Sequence, residues 1–154
     1  MNRPRVLVAD NHPALLRATS ALLSTESDVV GTVADGESLA SKALSLCPDV
    51  IVIVADITRP VLSGIEAAHR LRVSAPSAKI VFLTIHSEQQ FVDACMAEGA
   101  LGYVLKPQMR AHLIAAISAA LLGQAYICPF WGHMTLGNLH ITMSFNFALL
   151  SNFT

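Results

Sequence analysis

Val8-Ala9-Asp10-Asn11, Val54-Ala55-Asp56 and Leu105-Lys106-Pro107 decide how this chain folds. In each stretch a polar side chain follows directly on an apolar run. Residues 5–9 (RVLVA), 50–55 (VIVIVA) and 102–105 (GYVL) are short and almost wholly apolar. That is the pattern of strands buried on both faces. In a parallel α/β sheet the carboxyl ends of the strands converge on one crevice. Asp10, Asn11, Asp56 and Lys106 are therefore expected to meet there, as an acidic corner, a second carboxylate and a lysine.

The intervening sequence alternates strand and helix. Residues 28–33 (DVVGTV) and 79–83 (KIVFL, ending at Thr84) complete a set of five strands. Pro13 suits a first helical turn, and Leu15, Ala18, Thr19 and Leu22 follow at helical spacing. Residues 38–46 place Leu39, Ala43 and Leu46 on one side. Residues 58–64 read as loop, and Ile65, Ala68 and Leu71 open a helix ending near Ser74-Ala75-Pro76. Residues 88–98 form a helix closed by Gly99, and residues 112–122 one stopped by Gly123. Five such alternations predict a doubly wound parallel α/β sheet with helices on both faces. GxGxxG and GxxxxGK[ST] are absent, so the dinucleotide and P-loop readings lack their signatures.

At 154 residues and 53% hydrophobic content the chain suits one domain with a full core. A net charge of -1 argues against nucleic-acid binding by the chain as a whole. Cys47, Cys95 and Cys128 have no CxxC spacing and lie in apolar sequence, so they read as reduced core thiols of a cytoplasmic protein. The start, MNRPRVLVADNH, has too short an apolar run for a signal peptide. Charge is unevenly spread: every Lys, Arg, Asp and Glu lies at or before Arg110. Residues 1–128 read as the domain and 129–154 as an uncharged tail, poorly ordered or adding a short strand, since residues 140–147 alternate polar and apolar. Residues 111–131 are uncharged and about long enough to span a membrane. Gly123, Gln124 and Pro129 break that run, and the fold needs residues 112–122 as its closing helix, so no membrane span is expected.

The strand-end groups permit one chemistry in particular. Asp56, as a nucleophile toward phosphorus, would form an acyl phosphate. The carboxylate and the incoming group repel each other, so a divalent cation is required. Mg²⁺ takes oxygen ligands, which Asp10, Asn11, Asp56 and the backbone carbonyl of Thr58 can supply. Lys106 can hold a phosphoryl oxygen and Thr84 can donate its hydroxyl to another. Plainer roles stand beside these. Asp10 and Asn11 could cap the helix at Pro13, Thr84 could be a simple strand residue, and Tyr103 could be plain core. The six histidines have no metal-ligand spacing.

VLVADNHP (6–13), DITRPVLSGIEAAHRLR (56–72), KIVFLTIHSE (79–88) and EGALGYVLKP (98–107) together resemble the CheY-like receiver domain of two-component response regulators. The similarity is to the class joined to a LuxR/FixJ (NarL-type) DNA-binding domain, and it covers residues 4 to 128. It implies a five-stranded flavodoxin-like (βα)5 fold. It implies Mg²⁺-dependent phosphoryl transfer to Asp56 from the phosphohistidine of a sensor histidine kinase, and slow self-catalysed dephosphorylation. It also implies Thr84 and Lys106 as switch residues, with Tyr103 the aromatic that follows them, a cis Lys106–Pro107 bond, and dimerisation around the last helix. Three departures stand out. Asn11 occupies a position where the family usually carries a second acid. Positions 48–56 are two residues longer than the family pattern, which predicts a bulge or a shifted start in the third strand. Arg59 replaces an apolar residue. Residues 130–154 are too short for a helix-turn-helix domain and carry no Lys or Arg, so no direct DNA contact by this chain is expected. A rival reading, motivated by Asn11 and the longer third-strand stretch, is a degenerate receiver acting as a phosphorylation-independent interaction or dimerisation module.

Overall fold

Runs of β-branched residues set the sheet, because such side chains are stiff and pack well on a pleated surface. The computed structural model describes residues 3–54, 62–129, 135–136 and 139–140, with backbone alone at 62–63 and in the last two pairs. β1 (Arg5–Ala9) and β3 (Val50–Val54) lie side by side in parallel, and Val6 to Ala9 pair with Val50 to Ile53 in unbroken register. β2 (Asp28–Val33) flanks β1 on its other edge. β4 (Lys79–Thr84) flanks β3, and β5 (Gly102–Leu105) flanks β4. A two-residue strand, β6 (Tyr126–Ile127), extends the parallel sheet past β5, giving the order β2-β1-β3-β4-β5-β6. The five strands expected from the sequence are thus all present, and the sixth is an addition.

Five helices connect and flank the strands: α1 (Pro13–Leu23), α2 (Gly36–Leu46), α3 (Leu62–Ser74), α4 (Gln89–Ala97) and α5 (Met109–Leu121). α2 starts two residues earlier than expected because Asp35 caps it. The Asp35 carboxylate accepts Ser38 N–H at 2.7 Å and the Ser38 hydroxyl at 3.0 Å. The Ser38 amide bond holds the Asp35 carboxyl below the usual carboxylate range. α5 starts three residues earlier than expected, because a 3₁₀ turn (Lys106–Gln108) leads straight into it. Gly99 and Gly123 close α4 and α5 with φ of 85° and 74°, as the sequence predicts. A short antiparallel pair, β7 (Thr135–Leu136) and β8 (Leu139–His140), brackets Gly137-Asn138. Of the strand expected over residues 140–147, only His140 is among the described residues.

Three expectations are corrected. β3 carries no bulge. It pairs without interruption with β1 and with β4, and the ladder irregularity of this sheet falls instead between β1 and β2, at Val30. The Lys106–Pro107 peptide is trans, the form that X–Pro bonds favour by about 0.5–1 kcal/mol. Cys47 is exposed, not core. It is the C-cap of α2 in the left-handed conformation (φ 46°), where the chain turns out of the helix at the surface. Cys95 and Cys128 are buried as expected, and burial pushes the Cys95 thiol up to about 12. Among the described residues no helix is long and apolar enough to cross a membrane.

The core has its strands on the inside, with Tyr103 and Phe82 the largest fully buried side chains. One position shows how closely β4 and β5 fit. Gly102 lies opposite Val81, and a Cβ there would come within 2.8 Å and 2.9 Å of the two Val81 methyls. Val81 is fully buried and β-branched, so it cannot rotate away. Gly102→Ala is expected to lower stability by about 1–3 kcal/mol in urea unfolding. Adding Val81→Ala should recover part of that loss, because the two sites touch.

Candidate functional site at the carboxyl edge of the sheet

The strand order reverses direction between β1 and β3, the place where doubly wound sheets open a crevice at their carboxyl edge. Register fixes what stands there. Ala9 pairs with Ile53, so Asp10 follows level with Val54. Leu83 pairs with Val54, so Thr84 follows just beyond it, and Thr84 in turn pairs with Leu105. Asp10 and Thr84 thus flank the end of β3 from its two neighbours, roughly 10 Å apart at the backbone. Lys106 leaves the next strand along.

Asp10 continues the sheet before the chain turns, its N–H donating to Val33 O at 2.9 Å. Its side chain is 4% exposed, and Oδ1 accepts His12 N–H at 3.0 Å. His12 itself is the N-cap of α1, so Asp10 steadies the entry to the helix without being its cap residue. Asn11 is exposed beside it. An oxygen-rich corner of one near-buried carboxylate and one accessible amide suits a hard divalent cation. Asp56, Thr58 and Arg59 lie outside the described residues; Asp56 is two chain positions beyond Val54.

Thr84 is 3% exposed at the end of β4. Its Oγ1 accepts His86 N–H at 3.2 Å, turning the chain sharply off the strand. The Tyr103 hydroxyl, from the neighbouring strand, donates to His86 O at 2.6 Å. Tyr103 is 1% exposed, and burial raises its phenol well above the ordinary range, with the nearby Thr84 hydroxyl working in the opposite direction. Thr84 and Tyr103 are therefore joined through one residue, His86. The His86 ring packs on Phe91 with centroids 4.6 Å apart, and its Nδ1 lies 3.6 Å from Glu88. This ties the β4–α4 connection to the head of α4. Sequence reasoning missed His86, because its contribution is made by backbone N–H and C=O groups, which every residue type carries.

Lys106 is half-buried at the start of the 3₁₀ turn. The structure thus brings Asp10, Asn11, Thr84 and Lys106 to one edge, with Tyr103 directly behind Thr84.

The family description of the response regulator receiver domain matches residues 6–118 of this chain. The response regulator GacA of Pseudomonas viridiflava is 35% identical over 127 residues, covering 81% of this chain and 58% of GacA. The uncharacterized transcriptional regulatory protein YxjL of Bacillus subtilis is 36% identical over 123 residues, covering 79% of this chain and 56% of YxjL. The chain thus spans a little over half the length of the curated relatives it matches. The signal receiver domain of the putative response regulator NarL from Mycobacterium tuberculosis superposes with a TM-score of 0.72 at 25% identity, over 80% of this chain and 100% of that one.

Tyr103→Phe removes the donor to His86 O while keeping the ring in the core. The stranded carbonyl is expected to cost about 1–2 kcal/mol in chemical denaturation. Faster hydrogen exchange confined to residues 85–88 should accompany it.

Proposed function

This chain belongs to the response regulator receiver family, and from that membership we propose that Asp56 accepts a phosphoryl group from a histidine-kinase phosphohistidine and that the acceptance resets the Thr84–His86–Tyr103 linkage. Receivers of this family generally depend on Mg²⁺, and response regulators interact with histidine kinases and in some cases dimerise. The observation that carries the reading is the placement of Asp10, Thr84 and Lys106 on one sheet edge around the strand that leads to Asp56.

Each residue has a defined task. An Asp56 carboxylate oxygen attacks phosphorus as the P–N bond to the donor imidazole breaks, leaving an acyl phosphate. The Asp10 carboxylate, the Asn11 amide oxygen and the Thr58 carbonyl, with Asp56, supply oxygen ligands. When bound, Mg²⁺ neutralises the charge gathered there. Lys106 holds one phosphoryl oxygen as a point charge. Thr84 turns its hydroxyl proton toward another, which withdraws Oγ1 from His86 N–H and loosens the loop that Tyr103 also grips. Water later attacks phosphorus as the P–O bond to Asp56 breaks, releasing inorganic phosphate and the free Asp56 carboxylate and resetting the receiver.

Residues 1–128 form the receiver in this reading, acting in the cytoplasm, with 129–154 a tail beyond it. A second copy of the chain is the partner for α5. On that helix Ala111, Ala115 and Ser118 are exposed, followed by Leu122 at 75% exposure. Residues 130–154 carry no Lys or Arg for DNA phosphates, so direct DNA contact by these residues is not part of this reading.

Incubation with acetyl phosphate and Mg²⁺, followed by intact mass, tests the acceptor. One phosphoryl group should add to the parent chain and none to Asp56→Asn. A parent chain that gains nothing at any Mg²⁺ concentration sinks the proposal and leaves the interaction-module rival.

Asn11→Asp tests the metal corner. Two opposite unit charges ~4 Å apart attract by about 4 kcal/mol at an effective dielectric of ~20. After desolvation of the new carboxylate, a gain of about tenfold in Mg²⁺ affinity is expected. Equal affinities by titration would place Asn11 outside the ligand set.

A further inference from the structure

β6 has no part in the chemistry proposed above, yet the hydrogen bonds of β6 and the adjoining Cys128 end at Leu105, the residue before Lys106. Tyr126 N–H donates to Leu101 O at 2.7 Å, and Cys128 N–H donates to Tyr103 O at 2.9 Å. In a parallel ladder the next bond would run from Leu105 N–H to the carbonyl of Cys128. Instead, Leu105 N–H donates to Cys128 Sγ at 3.2 Å, just where Pro129 follows in the chain. The side chain of Cys128, 1% exposed, thus takes over the ladder at its last rung. At the other end of the strap the Tyr126 hydroxyl meets His112 Nδ1 of α5 at 2.7 Å. Leu105 is therefore enclosed on both sides, with Thr84 as its partner on β4 and Cys128 beyond it.

We propose that β6 is a positioning strap for Lys106: by giving Leu105 N–H a buried acceptor, it fixes the Val104–Leu105 peptide at the end of β5, one residue before Lys106, and so the reach of the Lys106 ammonium group toward a phosphoryl group on Asp56. The inference rests on the reading of Asp56 as the acceptor. Without the sulfur, Leu105 N–H is a buried donor lacking a partner, and the peptide gains by rotating toward water. Lys106 is the next residue along the chain and moves with it. Burial raises the Cys128 thiol above its ordinary range, while the bond from Leu105 N–H works in the opposite direction.

The full chain and two variants test the strap. Cys128→Ala removes the acceptor and Cys128→Ser keeps one. Amide hydrogen exchange at Leu105 and Lys106 is read without any phosphoryl donor, and the rate of phosphoryl uptake from acetyl phosphate is read by intact mass at saturating Mg²⁺. Cys128→Ala is expected to speed Leu105 exchange by about tenfold and to slow uptake by about tenfold. Cys128→Ser should stay within about twofold of the parent in both, since a hydroxyl is also an acceptor. A Cys128→Ala protein that melts earlier yet takes up phosphoryl at the parental rate overturns the proposal, and so does a Cys128→Ser protein as slow as Cys128→Ala. Should the parent take up nothing, the Asp56 reading fails, and the strap is then judged by exchange alone: unchanged Leu105 protection in Cys128→Ala overturns it. Should Cys128→Ala not fold, Tyr126→Phe cuts the tie to His112 and leaves Cys128 in place. Faster Leu105 exchange in that variant supports the strap, and parental exchange overturns it.

Discussion

The burial of β3 is the constraint on which the rest of this protein depends. Val50-Ile51-Val52-Ile53-Val54 has every side chain inside, and it is hydrogen-bonded along both edges, to β1 and to β4. A strand held that way cannot slip, because a shift of one residue would turn its whole apolar set and break two ladders at once. The pairing extends back to Asp49, whose N–H donates to Arg5 O and whose carbonyl accepts Lys79 N–H, both at 2.9 Å. The two-residue excess expected from the sequence over positions 48–56 therefore finds no place as a bulge in the paired segment. Position 54 stands level with Asp10, and Asp56 comes two residues later in the chain.

From that fixed strand the neighbouring strand ends inherit their places. Asp10 is tied into the sheet by its own N–H and turns its carboxylate onto His12, while Thr84 turns its hydroxyl onto His86. Both polar side chains are nearly buried, and both hold a backbone amide two residues ahead. Such short loops carry polar groups at the edge of a core at reduced cost, since Asp10 Oδ1 and Thr84 Oγ1 each accept a backbone N–H. The Tyr103–His86 bond then couples two strands through one carbonyl, so a displacement of Thr84 is felt by a side chain that fills the interior. Densely packed interiors transmit such displacements because they have no slack.

β6 changes the character of β5. Without it, β5 would be an edge strand with open N–H and C=O groups facing outward. With it, the outer side of β5 is capped through Leu105, and the chain after α5 becomes part of the receiver sheet up to Cys128. The burial of Cys128 and the exposure of Leu122 lie only six residues apart. The segment between them carries the chain from the surface of α5 back into the core.

Much of this was legible in the sequence, for reasons that are local. Apolar runs at 5–9, 79–84 and 102–105 are strands because their residue types fit no other buried element of that length, and Gly99 and Gly123 end helices because they accept positive φ. The candidate residues Asp10, Thr84 and Lys106 were legible because each follows such a run, and parallel strands share one carboxyl edge. What the sequence alone did not determine depends on contacts between distant segments. Cys47 looked like core from its neighbours, yet the left-handed turn at the end of α2 put it at the surface. Tyr126-Ile127 is too short to announce itself as a strand and becomes one only because the unpaired edge of β5 is there to receive it. His86 joins Thr84 to Tyr103 through its peptide groups, which leave no mark in a sequence. Local pattern determines which elements form and where their polar ends fall; register and packing alone decide which of those ends touch, because they depend on residues tens of positions apart being brought within a hydrogen bond of each other.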